Sequence, residues 1–381
     1  MPVTDMKVQR YDYVSQFEHF EEFIAELSRM IQDGHYVLSN EVSQFEGEFA
    51  RYLQCAFVSA VNTGTDALTC ALKALDIRPG DEVITQANTF NATVAAICLA
   101  GAKPTLVDVN ENTFLMDTKE ALARVNSKTR VFLPVHLYGK ATPMRELLVA
   151  CEKQALHLVE DAAQAHGACV EGQRVGTCGI LGCFSFHPSK NLAAAGDGGA
   201  ICTNRADLKK RVDAMRALGQ VGQNNHLYLG YNTKLDSIQA KVLSWKLPKL
   251  DVWNDKRRGV ARMYRERLAD LPLRFQLWDG ENEHVFHLFA VRTDRRDQLV
   301  EHLRSNGVDA VVRYPTPIHL QAAFCDYGWK KGQFPVAEAL ACELLCLPIR
   351  PNLTGSEIDY VCAAVASFFK SNAGIGKAYS V

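Results

Sequence analysis

The chain reads Phe57-Val-Ser-Ala-Val-Asn-Thr-Gly-Thr-Asp66 where a regular alternation of strand-like and helix-like segments begins. The alternation continues to about residue 205, and helical spacing of apolar residues follows the first two strand-like runs, over 66–75 and 93–100. This pattern is typical of a mainly parallel sheet covered by helices on both faces, in which ligands bind at the carboxyl ends of the strands. The further strand candidates are 81–84, 104–109, 131–136 and 156–161.

The second half of the chain has a different pattern and predicts a smaller α+β domain. A helix is expected over 236–247, and Pro248 must break or kink it. A second, charged helix is expected over 251–268, followed by strands over 285–292 and 308–313 and by a terminal helix over 358–369. We therefore predict a large domain over 1–249, with a peripheral helix over 17–31, and a small domain over 250–381.

The composition excludes several classes of protein. The 381 residues are 48% hydrophobic and 22% charged with a net charge of -1, which gives no electrostatic reason to expect nucleic acid or an anionic membrane as partner. The first residues, Met1 to Lys7, have no apolar core, so no signal peptide is expected there, and the longest uncharged stretch, 83–102, contains amide side chains that are costly in hydrocarbon. The twelve cysteines include no Cys-x-x-Cys pair, so we expect buried free thiols in a reducing cytoplasm and no metal site.

The turn Asn62-Thr-Gly-Thr-Asp66 is a candidate anion site. Gly64 permits a tight turn, and Thr65 and the first free N–H groups of the following helix would point at an anion such as a phosphate. The alternative is a plain turn in which Asp66 caps the helix. The turn matches neither a P-loop nor a dinucleotide-binding motif.

Two ionisable residues are candidates for covalent chemistry. Lys190 directly follows an apolar run bracketed by aromatic residues, and burial would favour the neutral amine that forms a Schiff base with a carbonyl group or with pyridoxal phosphate (PLP). Asp161 ends a strand-like run, where its carboxylate could hold a protonated pyridine nitrogen. The ordinary alternatives are a strand-end lysine that reaches water and a helix-capping aspartate.

Two weaker signals complete the set. Phe90 follows a strand-like run and could stack on a flat cofactor ring, although core packing would explain it equally well. Asn232 and Lys234 precede the helix at 236 and could contribute to an anion site. Each signal alone has an ordinary explanation, but together they supply a phosphate cradle, a stacking ring, a carboxylate for a pyridine nitrogen and a Schiff-base lysine.

At this point the chain resembles the DegT/StrS-type sugar aminotransferases, which are fold type I PLP enzymes. The most specific matches are Glu160-Asp-Ala-Ala-Gln-Ala-His-Gly167 and Phe184-Ser-Phe-His-Pro-Ser-Lys-Asn-Leu192. The other matching segments are 45–50, 62–67, 79–83, 196–200, 230–232 and 314–319. The resemblance implies an α/β fold with a seven-stranded, mainly parallel sheet between helices.

The resemblance also implies roles for individual residues. Lys190 would form the Schiff base with PLP and later shuttle protons, while Asp161 pairs with the pyridinium nitrogen and Gln164 lies near the ring face or its phenolic oxygen. The phosphate would be held by Gly64, Thr65 and Ser185, and Phe90 would stack on the ring. Asn232 would reach the phosphate from the partner subunit, which implies a homodimer with shared active sites.

Two positions depart from the family pattern. Many members have arginine where this chain has Lys234, and an ammonium does not reproduce the bidentate contact of a guanidinium. Many have glycine where Ser39 stands, near the substrate entrance. The residues that hold the donor carboxylates are not identified, and Arg313 and Arg350 are cationic candidates. His187 and His319 are weaker candidates for substrate contacts.

The reaction implied is a two-stage transamination through the pyridoxamine form of the cofactor. L-Glutamate, or alternatively glutamine, gives its amine, and a nucleotide-linked keto-sugar receives it. Segments 231–236 and 250–258, together with His226, are similar to the branch that acts on dTDP-3-keto-6-deoxyhexoses, which favours C-3 amination. The alternatives are C-4 amination of a UDP- or GDP-linked sugar, amination of a keto-cyclitol, a sugar dehydratase, which has histidine in place of Lys190, and a non-catalytic PLP-binding regulatory protein.

Overall fold

The structure is a computed structural model that describes residues 6–372 of the chain. Its strands are β1 (Phe57–Val61), β2 (Glu82–Gln86), β3 (Lys103–Val107), β4 (Thr129–Phe132), β5 (His157–Asp161), β6 (Cys169–Val170), β7 (Gln173–Arg174), β8 (Leu181–Ser185), β9 (Gly199–Thr203), β10 (Gln220–Gly222), β11 (Asn225–His226), β12 (Arg274–Phe275), β13 (Phe289–Arg292) and β14 (Leu344–Leu347).

The α-helices lie between and after these strands. They are α1 (Phe20–Gln32), α2 (Asn40–Leu53), α3 (Gly64–Ala74), α4 (Asn91–Leu99), α5 (Thr118–Ala123), α6 (Arg145–Gln154), α7 (Ala206–Arg216), α8 (Ser237–Lys246), α9 (Leu250–Arg267), α10 (Arg296–Ser305), α11 (Pro335–Glu343) and α12 (Gly355–Asn372).

A seven-stranded sheet forms the centre of the molecule, in the order β1-β9-β8-β5-β4-β2-β3. All neighbouring pairs are parallel except the two that involve β9, which runs antiparallel to both β1 and β8. Strands β2 and β9 are buried along their whole length, as expected where helices cover both faces. The predicted α/β fold with a seven-stranded, mainly parallel sheet is confirmed, and its carboxyl edge is the place to look for a site.

The helix expected to break or kink at Pro248 is interrupted there by a 3-10 turn. Helix α8 ends at Lys246, a 3-10 turn covers Leu247–Lys249, and α9 begins at Leu250. Pro248 lies in the first turn of the 3-10 segment, where its missing N–H costs no helical hydrogen bond.

The C-terminal part has its own three-stranded antiparallel sheet, β12-β13-β14. Its apolar core draws on α9, α10 and α12, and Val8 from the beginning of the chain packs into the same core. Leu250, by contrast, packs in the core of the large sheet, so α9 contributes to both cores. The division at residue 249 stays a prediction.

One strand expected from the sequence is not formed. Residues 308–313 make only two single bridges, Val308 with Val8 and Val311 with Cys346. The expected strand over 285–292 is shortened to Phe289–Arg292, because Val285 and Leu288 donate their N–H groups to Gly139 and Tyr138 in the large domain. Val285 and Leu288 thus connect the C-terminal part to the loop after β4 and do not extend β13.

Further expectations concern membranes, cysteines and metals. No helix within residues 6–372 has the length and hydropathy needed to cross a bilayer. The twelve cysteines all lie in this part of the chain and all are free thiols. In the same part, no three His, Cys, Asp or Glu side chains are grouped as ligands for a metal ion.

Candidate active site

The carboxyl edge of the sheet gathers most of the residues expected from the sequence. Strand β1 leads into the turn at Gly64 and Thr65, Phe90 follows β2 and caps α4, Asp161 ends β5, and Ser185 ends β8. Since these four strands run parallel to one another, their ends lie at one edge. The fold therefore brings together side chains that are far apart in sequence.

The turn before α3 is packed tightly against the end of β8. A Cβ added at Gly64 would lie 2.6 Å from the Cβ of Ser185 and 3.2 Å from its hydroxyl. The helix begins at Gly64, with Thr63 as N-cap accepting a hydrogen bond from the Asp66 N–H at 3.0 Å. Asp66 therefore does not cap the helix; its carboxylate accepts from the Thr233 hydroxyl at 2.7 Å. The close approach leaves the first N–H groups of α3 beside Ser185, a geometry that suits a phosphate.

Asp161 is a buried carboxylate with few partners. It is 4% exposed, and it accepts hydrogen bonds from the Thr93 hydroxyl at 2.8 Å and from the Ala163 N–H at 3.2 Å. Burial raises the pKa of this carboxyl, against the opposing effect of these two donors and of the positive charge of Lys190. A buried carboxylate of this kind gains stability from a cationic partner, and a protonated pyridine nitrogen would be one.

Lys190 lies in the loop after β8, where its N–H donates to the carbonyl of His187 at 2.8 Å. Desolvation is the main cause that lowers the pKa of its amine to about 8; the charge of Asp161 opposes the shift and that of Arg313 adds to it. At neutral pH, a lysine with this pKa has roughly a tenth of its molecules in the neutral form that attacks a carbonyl group. Its accessible surface shows Lys190 half-buried, so it is neither fully enclosed nor a fully water-exposed lysine.

Gln164 joins the loop after β5 to a tyrosine from the C-terminal part. Its side-chain oxygen accepts from the Tyr138 N–H at 2.8 Å, and its side-chain nitrogen donates to the Tyr314 hydroxyl at 2.8 Å. The ring of Tyr314 lies 5.8 Å from the ring of Phe90. Phe90 is 53% exposed, so one face is open to a ligand and core packing does not explain it.

Asn232 precedes Thr233, whose carbonyl accepts from the Asn62 N–H at 3.0 Å in the turn before α3. Asn232 is exposed, and its side-chain oxygen accepts from the ammonium of Lys234. Ser39, the second departure from the family pattern, donates its hydroxyl proton to Glu41 at 2.5 Å and accepts from the Ser237 hydroxyl at 2.7 Å, at the start of α8.

The remaining candidates have partners of their own. The guanidinium of Arg350 donates to Glu357 at 2.5 Å and to the carbonyl of Gln9 at 2.7 Å. His319 pairs with Glu338 at 2.9 Å, and His187 is exposed with a contact to Ser189 at 2.9 Å. These contacts give all three residues a local structural role.

Sequence reasoning missed two residues of the site. Thr93 donates to Asp161, and Tyr314 accepts a hydrogen bond from Gln164. Thr93 carries no signal in its own helix, whereas Tyr314 stands in a segment that matches the family. Only the fold shows which partner each of them has.

The residues at this edge fit a PLP molecule. The phosphate would be held by the N–H groups at Gly64 and Thr65 and by Ser185, and the buried Asp161 would hold the ring nitrogen. The open face of Phe90 would contact the ring, and Lys190 has the lowered pKa that Schiff-base formation requires. The turn at Gly64, Asp161 and the loop that carries Lys190 thus lie at the ends of β1, β5 and β8, at one edge of the sheet.

A sequence model of the DegT/DnrJ/EryC1/StrS aminotransferase family matches residues 18–366. The chain belongs to this family. Among solved structures, S. venezuelae DesV in complex with a ketimine intermediate superposes with a TM-score of 0.92 at 38% identity, covering 96% of this chain and 99% of DesV. NtdA from Bacillus subtilis with bound cofactor PMP gives a TM-score of 0.88 at 30% identity, covering 96% of this chain and 85% of NtdA.

Curated relatives carry two kinds of name. The chain is 40% identical over 330 residues to a dTDP-3-amino-3,4,6-trideoxy-alpha-D-glucose transaminase of Streptomyces venezuelae, covering 86% of this chain and 87% of that protein. It is 39% identical over 370 residues to a pleiotropic regulatory protein of Geobacillus stearothermophilus, covering 96% of this chain and 99% of that protein. As a member of this aminotransferase family, the chain is a PLP-dependent sugar aminotransferase.

Proposed function

We propose that this aminotransferase moves the amine of L-glutamate to the C-3 carbon of a dTDP-linked 3-keto-6-deoxyhexose. The observation that carries the proposal is the placement of Lys190, with its lowered pKa, beside the buried Asp161 at the carboxyl edge of the sheet. The sugar and the position of amination are supported by the name of the Streptomyces venezuelae relative. Amination at C-4, or of a keto-cyclitol, is the alternative.

When bound, PLP supplies an electron sink for the carbanion that forms as the amine changes carbon. Lys190 Nζ takes the proton from the donor Cα and returns a proton to the sugar carbon in the second stage, which its pKa near neutrality favours. Asp161, oriented by Thr93, would hold the ring nitrogen of the cofactor and favour its protonated form. Gln164, held by Tyr138 and Tyr314, would contact the ring.

The substrate is tested with purified holoenzyme, L-glutamate and a panel of keto-sugars. We expect 2-oxoglutarate and a 3-amino sugar to form from the dTDP-linked 3-keto-6-deoxyhexose, and we expect no turnover in Lys190→Ala. Rapid turnover of a 4-keto sugar with none of the 3-keto sugar would reverse the choice of substrate. Wild-type turnover in Lys190→Ala would refute the role of the lysine.

A regulatory role is the second candidate, because a relative that covers 96% of this chain carries that name. A protein that binds PLP without catalysis would keep the cradle and Asp161 but need no donor site. PLP absorbance that is bleached by L-glutamate supports the enzyme. Absorbance that no amino donor changes would support the regulatory role.

We further propose that the enzyme is a homodimer in which Asn232 completes the partner subunit's phosphate site. Asn232 is exposed, and large apolar side chains nearby in sequence are exposed too, with Leu227 at 64% and Leu229 at 99%. Val37, 51% exposed, bridges to Asp236 just beyond Asn232. Exposed apolar groups of this size mark surfaces that are covered in an assembly.

Mixing two inactive variants tests the shared site. If Asn232 acts across the interface, a dimer of one Lys190→Ala and one Asn232→Ala chain has one intact site and one doubly defective site. Random exchange would then restore about a quarter of wild-type activity, since half of the dimers are mixed and each has one intact site of two. If Asn232 acts within its own chain, every site keeps one defect and mixing restores nothing.

A further inference from the structure

The guanidinium of Arg313 stands at the active site without a protein acceptor. Across residues 6–372, its side chain takes part in no hydrogen bond, ion pair or cation–π contact. It is only partly exposed, so its charge is not dispersed by bulk water on all sides. An arginine has five donors, and none of those of Arg313 is among the buried atoms without a partner, so they are open to solvent and to a ligand.

The backbone at Arg313 is held close to Gln164 and Phe90, two residues predicted to contact the cofactor. Its carbonyl accepts a hydrogen bond from the Tyr138 hydroxyl at 3.1 Å. The next residue, Tyr314, contacts Gln164 through its hydroxyl at 2.8 Å and lies beside the ring of Phe90. The side chain of Arg313 is thus carried by a segment that is anchored to the site on both sides.

The positive charge of Arg313 affects the pKa of Lys190 and of two histidines. It lowers the pKa of Lys190, after the larger effect of desolvation, and it contributes in the same direction at His187 and His287. These effects agree with the anchoring of the Arg313 backbone beside Tyr138, Gln164 and Phe90. An anion bound there would offset the repulsion between Arg313 and the protonated form of Lys190.

The other cationic candidate, Arg350, already binds groups of its own chain. Arg350 lines the same cavity as Lys190, but its guanidinium donates to Glu357 at 2.5 Å and to the carbonyl of Gln9 at 2.7 Å. A guanidinium that holds a carboxylate of its own chain has fewer donors left for a substrate. The structure therefore separates two arginines that the sequence leaves equivalent.

We propose that Arg313 binds the α-carboxylate of the amino donor and selects α-amino acids as donors. The α-carboxylate is attached to the carbon whose amine is transferred, so its binding group must lie close to Lys190, whereas a side-chain carboxylate lies several bonds further away. A guanidinium matches a carboxylate with two parallel hydrogen bonds, which also fixes the orientation of Cα. The inference deepens the proposed function and rests on an amino acid being the donor.

The test measures donor affinity by titrating the absorbance of the PLP holoenzyme. Three amines separate the carboxylates: L-glutamate has both, L-norvaline has only the α-carboxylate, and 4-aminobutyrate has only the carboxylate at the far end. In Arg313→Gln we expect L-glutamate and L-norvaline to bind about 10- to 100-fold more weakly, the loss typical of a charge-assisted hydrogen-bonded pair. The affinity for 4-aminobutyrate should not change, and Arg313→Lys should recover part of the loss.

Arg350→Gln is the matched control, with donor affinity expected at the wild-type value. Thermal melting of each variant separates loss of fold from loss of binding. An unchanged L-glutamate affinity in Arg313→Gln overturns the inference, as does an equal loss for all three amines or a loss that appears only with Arg350→Gln. Unchanged donor affinity together with weakened keto-sugar binding would assign the guanidinium to the sugar instead and would also overturn it.

Failure of the proposed function gives a different result. If L-glutamate does not change the absorbance of the wild-type enzyme, the proposed donor is wrong, and L-glutamine, which has the same α-carboxylate, takes its place in the titration. If L-glutamate changes the absorbance of the wild-type enzyme and of Arg313→Gln with the same affinity, L-glutamate is the donor and only the proposed role of Arg313 is wrong.

Discussion

Replacing Gly64 with alanine tests the phosphate cradle with the smallest possible change. The added Cβ would lie 2.6 Å from the Cβ of Ser185, whereas two carbon atoms pack at about 3.5–4.0 Å. Either the first turn of α3 or the end of β8 must therefore move by roughly 1 Å. Gly64 is not in the left-handed region, so the clash is the cause and backbone strain is not.

The expected effect follows from this displacement. Overpacking of a fixed contact costs about 1–3 kcal/mol, and the displaced N–H groups no longer converge on the phosphate. Because about 1.4 kcal/mol corresponds to a factor of ten, we expect PLP to bind Gly64→Ala roughly 10- to 100-fold more weakly. The assay is a titration of the apoprotein with PLP, followed by absorbance, together with urea unfolding of the apoprotein.

Gly259→Ala is the control for this experiment. Gly259 lies inside α9, and a Cβ there meets no atom within 4 Å. Alanine is preferred over glycine in a helix by about 1 kcal/mol, so this variant should be more stable and should bind PLP as the wild type does. If Gly64→Ala binds PLP within about twofold of the wild-type affinity, the contact with Ser185 does not shape the phosphate site and the reasoning is refuted.

Two further predictions concern the ionisable pair. Thr93→Val removes the 2.8 Å hydrogen bond to Asp161, so the pKa of that carboxyl should rise further. Turnover should fall about tenfold, and the acid limb of the pH–rate profile should move to higher pH. The control is Thr85→Val, which removes a hydrogen bond to a carbonyl and should leave the pH–rate profile unchanged. Lys190→Met concerns stability. Desolvation lowers the pKa of Lys190 to about 8 in the folded apoprotein, against 10.5 for an unperturbed lysine. The unfolded state therefore holds the proton over this range, and stability rises with pH between these values. The variant should lose this pH dependence and be more stable than the wild-type apoprotein at pH 7, by about 1–3 kcal/mol in urea unfolding. If the free energy of unfolding depends on pH equally in the two proteins, the lowered pKa of Lys190 is contradicted.

Local signals predicted much of the fold. The periodicity of the run from Phe57 to Asp66, repeated along the first half of the chain, was sufficient for the parallel sheet. The break at Pro248 was also visible, because a missing N–H acts within its own turn. The antiparallel strand β9 was not expected, since the direction of a strand depends on the path of the connection before it.

The expected strand at 308–313 shows where local signals fail. Its β-branched composition is typical of a strand, yet it finds partners at only two single bridges. Val311 pairs with Cys346 on the free edge of β14, but no ladder continues from this bridge, while Val308 pairs with Val8. The apolar residues are used in packing instead.

For the site, the chain order of the motifs was enough to predict the cofactor, because each part of a PLP site has its own residue type and each follows its own strand. The roles of the individual residues stay predictions. What only the tertiary structure decided is which groups face one another: Thr93 donates to Asp161, Tyr314 holds Gln164, and Arg313 alone of the two arginine candidates reaches the space beside Lys190 without a partner. Hydrogen bonding, desolvation and charge act over a few ångströms in space, and the sequence contains no measure of that distance until the sheet has brought the strand ends together.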